Sequence, residues 1–354
     1  MTLYRVETSQ SSNAWLKQPL NDIEVGLERP RRMRYLREVV RYGYAPFMMF
    51  GLTFAAYWVV SELVVAQGNH WAYLWLLPLL ATAYATSFAA EKIAPFFDEW
   101  NDHQSHGDMG ANTAHIAAYE ISAMNGVFLI PVICWLFPFQ GIWPTHWPMW
   151  TQVLIAFVAA DFAFMMMHYL SHRYAPLWRL HAVHHGVGRL YGYNGVIRHP
   201  IHQIIDMIVG NMPLVIMGMP VPVAVVLGFV ISVTLIVQHS NVDARLGPLQ
   251  KHLSIGRLHH MHHVNWGTEG DCNFGLLLTI WDKMLGTFSD KPKREITSKD
   301  MGVDELPNFP RGYVEQLLLP FYYEPGKGEP ERYKKLATKT PAQEAREQII
   351  HAAE

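Results

Sequence analysis

"MWTQVLIAFVAADFAFMMMHYLSH" (149–172) joins a run apolar enough to cross a bilayer to two histidines, His168 and His172. A membrane-spanning helix takes about 20 apolar residues, and this run carries a single acid, Asp161. A spacing of four puts His168 and His172 on one helical face, and Asp161, seven residues before His168, shares it. The stretch therefore predicts a membrane helix whose last turns present imidazoles near the water boundary.

The rest of the chain has the composition of a membrane protein. Half of its 354 residues are apolar and 16% are charged, against roughly a quarter charged in an ordinary soluble domain. Further apolar runs cover 45–66, 71–90 and 114–138, the last interrupted by Glu120 and Asn125. The run 203–238 reads as two helices broken at 218–222, or as a re-entrant hairpin, since 204–218 is short for a full span. The expected fold is an all-α integral membrane bundle of four to six transmembrane helices under a cytosolic, histidine-rich di-metal cap. Its expected divisions are a polar, basic cytosolic segment (1–44), three membrane helices (45–148), a catalytic region (149–290) and a cytosolic C-terminal tail (291–354), of which 324–348 reads as a surface tail. Arg29, Arg31, Arg32, Arg34, Arg37 and Arg41 precede the first apolar run and read as a solvated or headgroup-binding segment. The positive-inside bias puts them in the cytoplasm. Paired crossings then return 91–113, 168–202 and everything beyond His239 to that same side. No cleaved signal-peptide pattern opens the chain. A net charge of −2 gives no reason to expect nucleic acid, and Cys134 and Cys272 alone cannot build a disulfide framework or a cysteine-rich metal site.

Histidine is the anomaly: 13 of 19 lie between His168 and His263. Besides the HxxxH pair there are "HAVHH" (His181, His184, His185) and "HHMHH", in which His259, His262 and His263 repeat the HxxHH spacing. His239 stands between them in "QHSN". One such histidine is ordinarily hydrogen-bonded filler. Three clusters on one membrane side would either charge and repel or need many separate partners, whereas a metal satisfies neutral imidazoles together. Nine candidate ligands (His168, His172, His181, His184, His185, His239, His259, His262, His263) exceed the four of one zinc. They suit two metals with room for an exogenous ligand, and a lipid-side location suits iron that activates O2 against an unreactive C–H bond. No ExxH pair or HExxH motif is present, which excludes a carboxylate-bridged bundle site and a zincin.

With "RHP" and "DCNFGLLLTIWDKMLGTF", these motifs over 149–290 resemble the fatty acid hydroxylase/sterol desaturase superfamily in order, spacing and flanking phrases. The resemblance implies a membrane bundle with two iron ions, O2 as co-substrate, and hydroxylation or desaturation of a fatty acyl, sterol or related lipid. It implies the nine histidines above as ligands. His199 of "RHP" stands as a tenth candidate, His260 replaces a usual arginine, and His202 and His252 read as non-ligands. Asp161, Asn241 and Asp271 are expected to hold ligand rings by their second nitrogens, "WDKMLGTF" to be an interfacial aromatic segment, and "GVGRLYGYNGVI" (186–197) to be a loop open to substrate or electron donor.

The expected enzyme is a monooxygenase-type lipid hydroxylase of the bacterial inner membrane or endoplasmic reticulum, with a sterol or lipid desaturase as the alternative. Neither a Rossmann glycine fingerprint nor a cytochrome b5 motif is present, so electrons are expected from a separate ferredoxin or cytochrome with a reductase. A metal-binding or transport protein is the more distant reading. It predicts polar ligands inside the membrane segments, and 45–90 is nearly free of them.

Overall fold

The computed structural model of the chain describes residues 31–136 and 141–330. Arg29 and the polar end of the chain from 331 lie outside the described residues. Among the described residues, four helices are long and apolar enough to cross a bilayer: α1 (Arg32–Ala66), α2 (His70–Ile93), α4 (Met149–Arg173) and α8 (Val221–His239). Between α2 and α4 comes α3 (Met109–Leu136), 28 residues in the place of the third apolar run. Among the described residues there are isolated β-bridges but no strand. Large apolar side chains such as Phe50, Phe54, Trp75 and Ile204 are more than half exposed. That exposure is a penalty in water and the expected surface against lipid. The protein is an all-helical membrane protein.

α8 is the central post. From Ile231 to His239 every side chain is buried, and it packs against α1, α2, α3 and α4. The run 200–239 resolves into α6 (Pro200–Gly210), α7 (Met212–Ile216) and α8. The first leg is broken at Asn211, two residues before Pro213, which has no N–H to continue the ladder. At 1.5 Å per residue, α6 alone reaches about 16 Å, half the thickness of a bilayer core. The two short pieces together still bring the chain to the far end, where Trp143 N–H donates to Met217 O at 3.0 Å. α8 then returns and delivers His239 to the opposite end.

The near end carries a helical cap. α5 (Ala175–His185) follows α4 directly, α9 (Arg257–His262) and α10 (Ile280–Leu285) lie beyond α8, and α11 (Tyr313–Tyr322) packs on α5. Three parts differ from the sequence reading. The 44/45 division falls inside α1, and Arg37 and Arg41 are buried, Arg41 Nε standing 2.9 Å from Asp243. Residues 296–323 are set apart from the catalytic region in the sequence reading but belong to the cap: Val303, Leu306, Leu319 and Tyr323 bury against Ala182, Val183 and Ile197. The 186–197 segment is no open loop either, since Arg189, Leu190, Tyr191, Asn194 and Ile197 are all buried. Its glycines allow the close approach: a Cβ on Gly195 would meet Leu235 O at 2.3 Å and His239 Nδ1 at 3.2 Å.

Candidate metal centre

Each motif reaches the centre from a different element. α4 ends in His168 and His172, α5 carries the first HxxHH, α8 ends in His239, and the second HxxHH lies in α9 and its cap residue His263. The structure sorts these nine residues into two groups, with ring nitrogens in each within 4.8 Å of one another. The first holds His168, His172, His181, His185 and His262; the second holds His184, His239, His259 and His263. The two HxxHH motifs divide in opposite senses. In α5 the outer pair, His181 and His185, joins the first group and His184 the second. In and just after α9 the outer pair, His259 and His263, joins the second group and His262 the first. Helical spacing explains the division: i and i+4 nearly superpose, while i+3 is turned aside. His185 and His263, one from each group, stack at 4.4 Å between ring centres.

Hydrogen bonds fix which nitrogen faces inward. Nδ1–H of His168 donates to Phe274 O at 2.9 Å, of His184 to Ile197 O at 2.9 Å, of His239 to Leu235 O at 2.9 Å, and of His262 to Cys272 O at 2.8 Å. His172 Nδ1–H donates to the Asp271 carboxylate at 2.9 Å. This assignment leaves each Nε2 as a bare lone pair. Those lone pairs then face each other, at 2.8 Å for His168 and His262 and 3.2 Å for His184 and His239. Two acceptors so placed repel unless a cation lies between them. His181 points the same way: it is buried, and neither nitrogen has a hydrogen-bond partner. The donor set fits a metal in each group.

Burial adds to this. It holds His181, His184, His185, His259 and His263 far below the usual 6.5, with neighbouring imidazoles pushing the same way. It brings His262 down to about 4. The cap histidines are therefore neutral at physiological pH, the state that binds metal.

The other expected residues separate. His199 is not in either group: its Nδ1 accepts from Ile201 N–H at the start of α6, and its Nε2–H donates to Leu317 O at 3.0 Å. Both nitrogens are spent on structure. His260 packs edge-on against Phe96 and Trp100. Of the three expected ring-holders, Asp271 does hold one. Asp161 instead accepts from Leu277 N–H, Leu278 N–H and Trp281 Nε1–H, and Asn241 pairs with the backbone of Phe97 in both directions. Asp282, unremarked in the sequence, accepts from Phe274 N–H and Gly275 N–H at 2.8 Å each. Asp161 and Asp282 thus pin the turn whose carbonyl orients His168, so "WDKMLGTF" is part of the scaffold of the centre. Ser171, His202 and Asp206 form a buried chain beside it, with His202 Nε2 2.9 Å from Ser171 Oγ and Nδ1 3.1 Å from Asp206. An i, i+4 His–Asp pair in "HQIID" was the signal available for that chain.

Two cavities adjoin these elements. A small one, about 20 Å³, lies against His168, His181, His184 and His259. A large apolar groove of about 710 Å³ runs between α1, α4 and α8, reaches Leu277, and is lined by none of the nine histidines.

Residues 153–287 match the family model for fatty acid hydroxylase. The chain is 34% identical over 255 residues to the ornithine lipid hydroxylase OlsE of Rhizobium tropici, which covers 70% of this chain and 76% of that protein. It belongs to the fatty acid hydroxylase/sterol desaturase superfamily. It is also 28% identical over 154 residues to the alkylglycerol monooxygenases of Danio rerio and Homo sapiens, spanning 44% of this chain and 33% of each of theirs. No solved structure matches it. Membership makes the chain an oxidoreductase of the lipid hydroxylase class, and the paired histidine groups are where the family's motifs fall in this fold.

Proposed function

We propose that the protein is a membrane-bound di-iron oxygenase that hydroxylates a C–H bond of a lipid, using O2 and two external electrons. One observation carries this reading: nine histidines in two adjoining groups, with bare Nε2 lone pairs converging at the membrane end of a helix bundle. His168, His172, His181, His185 and His262 would hold one iron, and His184, His239, His259 and His263 the other.

Nine imidazole donors exceed the four of one tetrahedral zinc, and their division into five and four supports two metals with room for an exogenous ligand. Bound there, the iron pair supplies O2 activation and oxidation of carbon. The chain supplies the setting. The carbonyls of Phe274, Ile197, Leu235 and Cys272 keep the lone pairs aimed, and Phe164, Phe274 and Leu276 wall the small cavity against water.

The likeness to an ornithine lipid hydroxylase over most of both chains supports a lipid with an amino-acid-bearing headgroup as substrate. The cap, with both chain termini, faces the cytoplasm, where a ferredoxin or a cytochrome with its reductase delivers the electrons. Lipid profiles of cells with and without the protein, beside a His181→Ala control, test the reading. A product heavier by one oxygen atom that disappears in the control is expected. A product lighter by two hydrogens makes the enzyme a desaturase, and purified protein without iron, with no lipid change, ends the proposal.

A further inference from the structure

The cavity that touches the histidines gathers an arginine and an aspartate in its lining. Beside Phe164, Phe274 and Leu276 its lining holds Arg198, His202 and Asp206. The larger, mostly apolar groove, with Arg245 in its lining, lies elsewhere and meets no candidate ligand. A site that oxidised a methylene far along a chain would be destabilised by charges at the reacting carbon, because burying them against hydrocarbon forfeits their hydration.

These polar groups are not equally occupied. Asp206 Oδ2 accepts from His202 Nδ1–H at 3.1 Å and from Arg198 at 2.8 Å, and His202 spends its other nitrogen on Ser171. Asp206 and His202 are thereby closed off by one another. Arg198 is not: one Nη is committed, its Nε is buried without a partner, and a guanidinium has five N–H donors. Its backbone is held on both sides, since Ile197 O takes His184 Nδ1–H and His199 caps α6. Arg198 is a guanidinium fixed by Asp206, with donors to spare, beside the metal groups.

We infer that this cavity is a headgroup site in which Arg198 binds a carboxylate of the lipid, so that oxidation falls on carbon a few bonds from that group rather than along an acyl chain. The inference rests on the reading of the histidines as an oxygenase centre. An arginine matches a carboxylate by geometry as well as charge. The tails then run along α6, which turns Ile201, Ile204 and Ile208 outward, each close to half exposed.

The test uses iron-loaded protein in nanodiscs and two probes, an N-acyl-ornithine with a free α-carboxylate and its methyl ester. Wild type is expected to bind the acid at least about tenfold more tightly than the ester. Arg198→Gln is expected to lose that discrimination while keeping its iron, with ester binding unchanged. Arg198→Lys, which keeps the charge should the Gln variant fail to fold, is expected to retain part of it. Equal binding of acid and ester by wild type, or full discrimination in Arg198→Gln, overturns the inference. Fragment mass spectra separate the two proposals. Oxygen placed on an acyl chain refutes the headgroup site and leaves the hydroxylase standing, whereas headgroup discrimination without any iron or product does the reverse.

Discussion

Each cap imidazole is neutral because burial disfavours its charged form, and that has a signed consequence for pH. In the unfolded chain a histidine titrates near 6.5. In the fold His262 is held down to about 4 and His181, His184, His185, His259 and His263 are held far below their usual value. Between those limits the unfolded chain binds protons that the folded one refuses, so stability is full above about pH 6.5 and is lost as pH falls through the folded values. Metal-free protein in detergent should melt at the same temperature at about pH 8 and pH 7, and markedly lower at about pH 5. A flat profile down to pH 5 would show that the rings are charged or solvated. Asp271 gives a second prediction at this scale, because its only ring partner is His172 of the first group. Asp271→Ala should weaken metal binding at that group about 10- to 100-fold and leave the second group filled, so that titration shows two affinities in place of one. The nine histidines were legible in the sequence because i, i+3 and i+4 spacing survives folding. The functions of His199 and Asp161 were not, because their partners, Leu317 O and the backbone at 277–278, lie more than a hundred residues away.

Among the elements, the turn around 274–278 depends on two acids that never touch a ring. Asp161 reaches it from α4 and Asp282 from α10, and together they take up four of its backbone N–H groups. The turn in turn offers Phe274 O to His168, while Cys272 just before it offers its carbonyl to His262. Asp282→Ala should strand two buried N–H groups, at about 1–3 kcal/mol each. The expected result is a lower melting temperature together with weaker metal binding at the first group. Unchanged metal affinity in a destabilised variant would show that the turn only supports the fold. "WDKMLGTF" looked like an interfacial aromatic phrase because Trp and Phe dominate it, and nothing in local spacing distinguishes an acid that caps a remote turn from one that faces solvent.

At the scale of the molecule, the number of apolar runs and the end of the bundle where histidines collect could be read from the sequence, since length and hydropathy govern both. The packing of 186–197 and 296–323 into the cap could not, because those segments are amphipathic only relative to neighbours distant in the chain. The charge pattern now carries a prediction about the whole fold. No Lys or Arg occurs in 42–91, 93–172 or 199–244, so the far-end loops at 67–69, 141–148 and 217–220 carry none. Arg32, Arg34, Arg173 and the basic residues of the cap all belong to the other end. A bias this complete supports the proposed cytoplasmic cap, on the side where reductant is available to a histidine centre. In a chain whose two native cysteines are replaced, Gln67→Cys, exposed between α1 and α2, should react with a membrane-impermeant thiol reagent on intact bacterial cells. Lys293→Cys, on the surface of the cap, should react only in inverted vesicles. The opposite pattern would put the metal centre outside the cytoplasm and require an extracytoplasmic electron donor, because the helices hold all four histidine-bearing elements at one end and cannot divide them between two compartments.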